Sequence, residues 1–436
     1  MKNSIHILEC TDLSSEGYGV CHLDSLVVFV KEMIIGDVAK VKIISYKKKY
    51  AFGIIEELLE FSDERVDSEC DVAYKCGGCK LRHLSYKGQL AFKQRLLNNI
   101  FNRIYQLDLE IGEVNGSSLK AYRNKVQIPI NNHKMGYYRS NSHDIVEFDY
   151  CFIQDKLINK IIAFFKKYIL LDDEAIIFKH LFIRRFSSTD EVMLAFIVDD
   201  DRRNYLDRIS NLLVVNFPMI KSIILNVNKR KDNVIINYDY QDVVLYGRDY
   251  IIDRVNDIEY HVSFKSFYQI NPEIMIKIYD EVLRIVETFD KPKILDLYSG
   301  IGTIGIYVAK SASRVLGIEI IDDAVKNAKH NAVINKFDNV EFMVLDAKDT
   351  KADFLDDIDI VIVDPPRKGL DDELKNTLIN KNVRNIIYVS CNPMSLARDL
   401  KFFKEYNYEI GTIKAYDMFP FSVHCEVVVF LSKTKA

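Results

Sequence analysis

Residues 388–400, YVSCNPMSLARDL, place a cysteine where a predicted apolar strand gives way to a turn. Cys391 follows the run NIIYVS and precedes Asn392 and Pro393. A strand cysteine is usually a small buried hydrophobe, but one at a strand end can present its sulfur to a ligand. A predicted helix follows at once, and its positive end is expected to favour the thiolate of Cys391. A buried structural thiol and a nucleophile are therefore both open interpretations.

A glutamate near the chain end is the second reactive group. Predicted strands at about 408–415 and 425–431 are joined by YDMFPFSVH, which is too short for a helical crossover, so they should pair antiparallel. Because the last strand runs antiparallel to the one before it, its start at Glu426 is expected at the same sheet edge as Cys391. A thiol and a carboxylate placed together suit nucleophilic catalysis coupled to proton removal.

The elements that must position these two residues alternate regularly from about residue 263. Strands such as KILDLY, RVLGIE, NVEFMVL and DIVIVD are separated by helical or loop segments, including predicted helices at 322–335, 371–381 and 395–405. This alternation predicts a parallel sheet wrapped by helices. The carboxyl ends of its strands should form one crevice.

A glycine loop follows the first of these strands. The stretch DLYSGIGTIG contains G-x-G-x-x-G at Gly300, Gly302 and Gly305, a pattern that alone also fits a dinucleotide-binding fold. Asp296 at the strand end would repel a pyrophosphate and attract a ligand that carries an ammonium group. S-adenosylmethionine carries an ammonium and a sulfonium and no phosphate, and Glu319 at the next strand end could bind its ribose.

Two further acids follow the third and fourth strands. Asp346 is placed to approach an adenine edge, and Asp364 is held by the two prolines of VDPPRKGL. Asp296, Glu319 or Asp346 could each be an ordinary loop residue, but the presence of all three at successive strand ends is poorly explained in that way.

These groups together match what methylation of uracil at C5 requires. C5 becomes nucleophilic when a thiolate adds at C6, a role for Cys391, and a base must then remove the C5 proton, a role for Glu426.

The motifs SCNPMSLARD, DPPRKG, DLYSGIGT, FYQINPE and DMFPFSVHCE together resemble the S-adenosylmethionine-dependent RNA 5-methyluridine methyltransferases. The resemblance implies Cys391 as nucleophile and Glu426 as base. It implies that the cofactor is bound by Gln269, by Tyr298 and Thr303 of the glycine loop, and by the acids after strands two, three and four, Glu319, Asp346 and Asp364. Phe421 departs from the family, in which many members have histidine.

The N-terminal part also resembles this family. Residues 1–62 resemble the TRAM domain, a small RNA-binding barrel, and the lysines at 47–49 beside Tyr46, Tyr50 and Phe52 suit RNA, although a solvated lysine hairpin is equally open. The segments YRNKVQIP, with Arg123 and Lys125, and GYYRSN, with Arg139, resemble family segments near the RNA; solvated strand edges are the alternative.

CDVAYKCGGCK resembles the iron–sulfur motif of the family. Cys70, Cys76 and Cys79 have C-x5-C-x2-C spacing, and Cys151 matches the fourth ligand of a four-iron, four-sulfur cluster. A structural zinc is the competing interpretation of the same four cysteines.

Length and composition are consistent with this organisation. The chain has 436 residues, 48% of them hydrophobic, a net charge of -4 and no apolar run of secretory or membrane-spanning type. We expect a cytoplasmic α/β protein with no membrane partner and no obligate protein partner. We predict three domains: a TRAM/OB-like β-barrel at 1–62, a mixed α+β central domain at 63–262, and a Rossmann-like methyltransferase domain at 263–436 whose final hairpin is antiparallel.

The residues themselves also leave two other functions open. An amino-methyltransferase acting on adenine or cytosine would have an aromatic residue in place of Arg367 and would leave Cys391 without a role. A non-catalytic RNA-binding protein would not need Cys391 and Glu426. The resemblance is to the ribosomal branch of the family, which implies 23S ribosomal RNA as substrate, with the transfer-RNA T-loop as the alternative.

Overall fold

The N-terminal strands close into a small barrel in the computed structural model, which describes residues 2–433 apart from the side chain of residue 352. Alternate residues of the fourth strand, among them Ala39, Val41 and Ile43, are fully buried inside it. The barrel order is β1-β2-β3-β5-β4, which confirms the prediction of a small barrel. Its strands are β1 (Ile5–Leu13), β2 (Gly19–Leu23), β3 (Leu26–Val30), β4 (Val38–Tyr46) and β5 (Tyr50–Glu60).

A helix and a short strand follow the cysteine-rich segment. Helix α1 (Tyr86–Asn98) begins where the Ser85 hydroxyl accepts a hydrogen bond of 3.0 Å from the Gly88 amide. Strand β6 (Ile111–Asn115) pairs in parallel with a strand from the chain end. The C-terminal sheet thus recruits a strand from the region predicted as the central domain.

A seven-stranded sheet forms the middle of the molecule. Its order is β13-β12-β11-β10-β7-β8-β9, and the apolar side of α2 packs on it. A separate hairpin, β14 with β15, leads out of it. The elements are β7 (Lys125–Asn131), β8 (Lys134–Tyr138), β9 (Ile145–Glu147), α2 (Lys156–Tyr168), β10 (Phe178–Phe186), β11 (Glu191–Val198), α3 (Arg203–Asn216), β12 (Ile220–Val227), β13 (Val243–Gly247), β14 (Tyr250–Val255) and β15 (Ile258–Ser263).

The C-terminal region is a helix-wrapped sheet of the order β18-β17-β16-β19-β20-β23-β22-β6. Its central strands are buried on both faces, as in other parallel sheets covered by helices. The elements are α4 (Pro272–Val286), β16 (Lys293–Leu297), α5 (Thr303–Val308), β17 (Arg314–Glu319), α6 (Asp322–Ile334), β18 (Val340–Val344), β19 (Ile360–Val363), α7 (Asp372–Asn380), β20 (Asn385–Ser390), α8 (Pro393–Glu405), β21 (Tyr408–Ile410), β22 (Ile413–Tyr416) and β23 (Glu426–Lys433).

The last strand reverses direction as predicted. β23 pairs antiparallel with β20, with Ser390 opposite Val427, and antiparallel with β22, with Tyr416 opposite Glu426. The start of β23 therefore lies at the edge where the parallel strands end. The α/β fold with an N-terminal barrel is confirmed.

The predicted domain boundaries at 62 and 263 remain a prediction, and the placement of β6 shows that segments exchange across the second of them. Among the helices within residues 2–433, none combines the length and the hydropathy required to cross a membrane.

Candidate active site

The ends of successive strands carry the predicted site residues. Asp296 lies within β16, Glu319 ends β17, and Asp364 and Cys391 directly follow β19 and β20. Glu426 is the first residue of β23. Because parallel strands end at one edge and the antiparallel β23 begins there, all five lie along a single crevice.

The glycine loop after β16 is shaped by close contacts. Gly302 has φ 80°, and a Cβ there would lie 2.5 Å from the Phe342 ring. The Gly305 amide donates a hydrogen bond of 3.0 Å to Asp296, and the Gly300 amide one of 3.1 Å to Glu319. The two acids therefore orient the loop itself.

A cavity beside this loop brings together four of the six predicted cofactor residues. Tyr298 has its hydroxyl buried, and neither it nor the buried Ser299 hydroxyl has a hydrogen-bond partner within residues 2–433. Unpartnered buried polar groups are costly, so both are available to a ligand. The predicted residues that line the cavity are Gln269, Tyr298, Thr303 and Asp364, and they are joined there by Asp296.

Glu319 and Asp346 lie beside this cavity without lining it. Glu319 is occupied by the Gly300 amide and accepts a second hydrogen bond of 3.0 Å from the Ile321 amide. Asp346 accepts a hydrogen bond of 3.2 Å from the Lys348 amide and has the Lys348 ammonium 3.3 Å away. Glu319 ends β17 and Asp346 follows β18, and these are the two strands that come after β16 in the order of the sheet.

The charge of the cavity indicates what it can bind. Burial raises the pKa of Asp296 to about 8, to which the nearby Asp364 and Glu319 carboxylates add, and burial raises the pKa of Asp364 to about 7. A positively charged ligand favours the ionised form of buried acids, and the ionised acids would repel a phosphate. These carboxyl groups therefore fit S-adenosylmethionine, with its ammonium and sulfonium, and do not fit the pyrophosphate of a dinucleotide.

The environment of Cys391 differs from the prediction made from the helix end. Burial first, and then the Glu426 and Asp364 carboxyls, raise the pKa of the Cys391 thiol to about 11. The start of α8 is capped by Asn392, whose side chain accepts a hydrogen bond of 3.1 Å from the Met394 amide. Desolvation and the two acids therefore oppose the effect that was expected of the helix end on the Cys391 thiolate.

Glu426 is buried, with 4% of its surface exposed. Burial, together with the nearby Asp364, raises its pKa well above the usual range for a carboxyl, and Arg367 opposes this in part. Arg367 also lowers the pKa of Cys391, so it is a cation shared by both groups.

Sequence reasoning missed the electrostatic role of Arg367. The Arg367 carbonyl accepts a hydrogen bond of 2.7 Å from the Asn392 amide group, so the DPPRKG turn is tied to the SCNP turn. The sequence did contain a signal for this role: Arg367 is a cation at the position where an amino-methyltransferase would have an aromatic residue.

The four cysteines of the predicted cluster share one cavity of about 200 Å³. Burial raises the pKa of Cys76 and of Cys79, and that of Cys151 to about 12. Within the part of the chain that the structure describes, no three His, Cys, Asp or Glu side chains are arranged as a metal site. The residues that line the cavity include Cys70, Cys76, Cys79, Cys151, Arg82 and Arg123.

The predicted RNA-facing residues are divided between two environments. On the barrel, the rings of Phe29, Tyr50 and Phe52 lie within 6.0 Å of one another, and the Lys47 ammonium is 5.6 Å from the centre of the Tyr50 ring. Rings beside cations are the surface that single-stranded RNA uses. By contrast, Lys125 is partly buried at the start of β7, and burial lowers its pKa to about 7.

Comparisons with known proteins agree with this geometry. Residues 85–434 match the family model described as tRNA (Uracil-5-)-methyltransferase, and residues 8–55 match that of the TRAM domain. The chain is 36% identical over 451 residues to an uncharacterised RNA methyltransferase of Bacillus cereus, with 100% of this chain and 98% of the relative covered. A similar protein of Oceanobacillus iheyensis is 36% identical over 449 residues, with 99% and 97% covered.

A solved structure is similar over nearly the whole length. It is the tRNA (uracil-54, C5)-methyltransferase of Pyrococcus abyssi in complex with S-adenosyl-L-homocysteine, with a TM-score of 0.79, 29% identity, and 98% of this chain and 99% of that chain covered. The family match, the full-length relatives and the cation-accepting crevice lead to one conclusion: the chain belongs to the tRNA (Uracil-5-)-methyltransferase family, and it is an S-adenosylmethionine-dependent RNA uracil-5-methyltransferase with an N-terminal TRAM domain.

Proposed function

We propose that this protein methylates C5 of a uridine in 23S ribosomal RNA, with Cys391 as nucleophile and Glu426 as base. The observation that carries the catalytic assignment is the convergence of the thiol, the Glu426 carboxyl and Asp364 at one sheet edge, where each acid raises the pKa of the thiol. A nucleophile and a base in mutual electrostatic contact are typical of a site that combines covalent attack with proton transfer.

The steps follow from the chemistry of uracil. S-adenosylmethionine, when bound, supplies the methyl group. The Cys391 thiol loses its proton to water, its sulfur forms a bond to C6, and the electrons of the C5–C6 double bond make C5 a nucleophile. C5 takes the methyl group as the bond between that methyl and the sulfonium sulfur breaks, leaving a neutral thioether. Glu426 then accepts the C5 proton, the C–H electrons re-form the double bond, and the C6–S bond breaks to release the thiolate.

The raised pKa of Glu426 is consistent with its role as base. A carboxylate that holds a proton more tightly is a stronger base, provided that it is ionised when the step occurs. A cationic ligand beside Asp364 lessens the negative charge that now disfavours ionisation of Glu426 and Cys391.

The cofactor residues are assigned from the cavity and its edge. Gln269, Tyr298, Thr303 and Asp364 line the cavity. We assign Glu319 to the ribose and Asp346 to the adenine edge, because they end the next two strands along the crevice. We assign Asp296 to the ammonium group, because it lines the same cavity.

The ribosomal substrate rests on the resemblance of the barrel and the cysteine segment to the ribosomal branch. The transfer-RNA T-loop is a second candidate, and the Pyrococcus structure favours it, because a tRNA enzyme aligns with 98% of this chain. That coverage includes the barrel and the cysteine segment, so the presence of these two parts does not by itself favour ribosomal RNA over transfer RNA. In either RNA the target uridine must leave its stack to reach Cys391, so a looped or single-stranded site is expected.

Purified protein with S-adenosylmethionine is expected to place 5-methyluridine in 23S ribosomal RNA and to leave T-loop uridines of transfer RNA unmodified. Both RNAs, taken from cells that lack the protein, would be incubated in parallel and digested for nucleoside mass spectrometry. The Cys391→Ala variant serves as the control for background methylation. T-loop methylation with none on ribosomal RNA would refute the ribosomal assignment and leave the uracil-5 chemistry intact.

The cysteine cavity supports a four-iron, four-sulfur cluster as a further part of the proposal. Four thiols surround one cavity, the Gly78 amide donates a hydrogen bond of 3.4 Å to the Cys76 sulfur, and Arg82 and Arg123 stand beside it. Amide donors and cations stabilise the negative charge of a thiolate-ligated cluster. We expect the cluster to organise the domain, because methyl transfer moves no electron.

Protein purified without oxygen is expected to be brown and to contain iron and acid-labile sulfide. Replacing Cys79 with alanine should remove the colour, whereas Cys10→Ala should retain it, because Cys10 is buried in the barrel core away from this cavity. Metal and sulfide analysis with the visible spectrum provides the measurement. Stoichiometric zinc without sulfide would favour the structural zinc instead.

A further inference from the structure

The connection between β22 and β23, residues 417–425, leads directly to Glu426. It runs through turns and bends, so the sheet ladder does not hold it. Each of its first five residues is instead bound by a group from a distant part of the chain. The contacts are Asp417 amide to Asn115 carbonyl at 2.8 Å, Asn271 amide group to Met418 carbonyl at 3.3 Å, Lys93 ammonium to Phe419 carbonyl at 3.2 Å, Tyr122 hydroxyl to Pro420 carbonyl at 3.1 Å, and Phe421 amide to Gln89 side-chain oxygen at 2.8 Å.

Helix α1 provides the central anchor. The side chains of Lys93 and Asp417 form an ion pair, and both are fully buried at 0% exposure. A buried charge is tolerated when it is paired, and removal of one partner leaves the other uncompensated. One turn earlier on the same helix, Gln89 is also fully buried and binds Phe421.

The anchor lies close to the two residues that precede Glu426. Lys93 and Asp417 both affect the pKa of Cys425, the residue before Glu426, and Lys93 affects that of His424. Phe421 itself has φ 65°, a conformation that a non-glycine residue keeps only when its surroundings hold it. The Arg82 guanidinium, 4.3 Å from the centre of the Phe421 ring, helps to do so.

We propose that Lys93, Asp417 and Gln89 are positioning residues for Glu426: through the 417–425 connection they hold its carboxyl where it can take the C5 proton. The inference rests on the proposed role of Glu426 as base. The pairing of β23 with β20 fixes the backbone that follows Glu426, and the α1 anchor fixes the connection that precedes it. Loss of the anchor should slow proton removal and leave attack by Cys391 unchanged.

The test compares formation with release of the covalent RNA–protein adduct. Two variants remove the anchor without leaving an unpaired charge: Gln89→Met, and the double variant Lys93→Met with Asp417→Asn. Each is expected to form the adduct at the wild-type rate and release it about 10- to 100-fold more slowly, the cost of a small misplacement of a catalytic group. The KM for S-adenosylmethionine should not change. Gln94→Met is the matched control, because Gln94 lies on the same helix and contacts Ile111 and Gly112 instead of the connection.

The outcomes separate this inference from the proposed function. If Glu426→Gln accumulates adduct while both anchor variants release it at the wild-type rate, the positioning role is wrong and the base assignment stands. An equal slowing of formation and release would show a purely structural role and also overturn the inference. If Glu426→Gln accumulates no adduct, the base assignment fails, and the positioning role fails with it.

Discussion

Replacing Glu426 with glutamine is expected to trap substrate RNA covalently on Cys391, and replacing Cys391 with alanine is expected to abolish both methylation and adduct. Attack on C6 precedes methyl transfer, so the glutamine variant passes both steps and stops when no base takes the C5 proton. The alanine variant never activates C5. A denaturing gel with S-adenosylmethionine and substrate RNA should show a slow-migrating band for the first variant and none for the second.

RNA that carries 5-fluorouridine is the positive control for adduct detection. The wild-type protein should be trapped on it in the same way, because fluorine cannot leave C5 as a proton does. Normal turnover by Glu426→Gln would mean that another group is the base, with Asp364 or a water next in line. Formation of 5-methyluridine by Cys391→Ala would show that Cys391 is not the nucleophile and is only a structural residue at the end of a strand.

The affinity for S-adenosylmethionine is expected to rise with pH between about 6 and 8. Burial raises the pKa of Asp296 to about 8 and that of Asp364 to about 7, and a cationic ligand binds the ionised carboxylates more tightly. Binding below these pKa values must release protons, which weakens it by about tenfold per pH unit for each proton released. Between pH 8 and pH 7 the affinity should therefore fall with the slope of one released proton, from Asp296. Below pH 7 it should fall more steeply, because Asp364 also releases a proton.

Isothermal titration calorimetry in buffers of different ionisation enthalpy measures both the affinity and the protons released. Asp296→Asn should bind more weakly at pH 8 and lose the dependence between pH 7 and 8, because the titrating group is gone. Asp338→Asn is the matched control, an exposed acid outside the cavity. An affinity that is independent of pH in the wild type would contradict the assignment of the raised pKa values to the ligand site.

Much of the fold could be read from local pattern. Regular short strands predicted the barrel, and alternating strands and helices predicted the parallel sheet, because side-chain periodicity and turn residues act over a few positions. The short connection before Glu426 predicted the antiparallel final pairing, which the β22 and β23 ladder confirms. The common edge of the site followed from topology alone, since parallel strands end together.

The sequence by itself determined which chemical groups stand at the sheet edge, because the order of strands and the residues at their ends are local properties. Only the tertiary structure decided the pKa values of these groups and the distant residues that hold them in place. Burial raises the pKa of Cys391 where the helix end alone predicted the opposite, because desolvation depends on everything that packs around the thiol. Lys93 pairs with Asp417, 324 positions further along the chain, and β6 joins a strand some 300 positions later. No periodicity encodes such partners, since they meet only when the whole chain has folded.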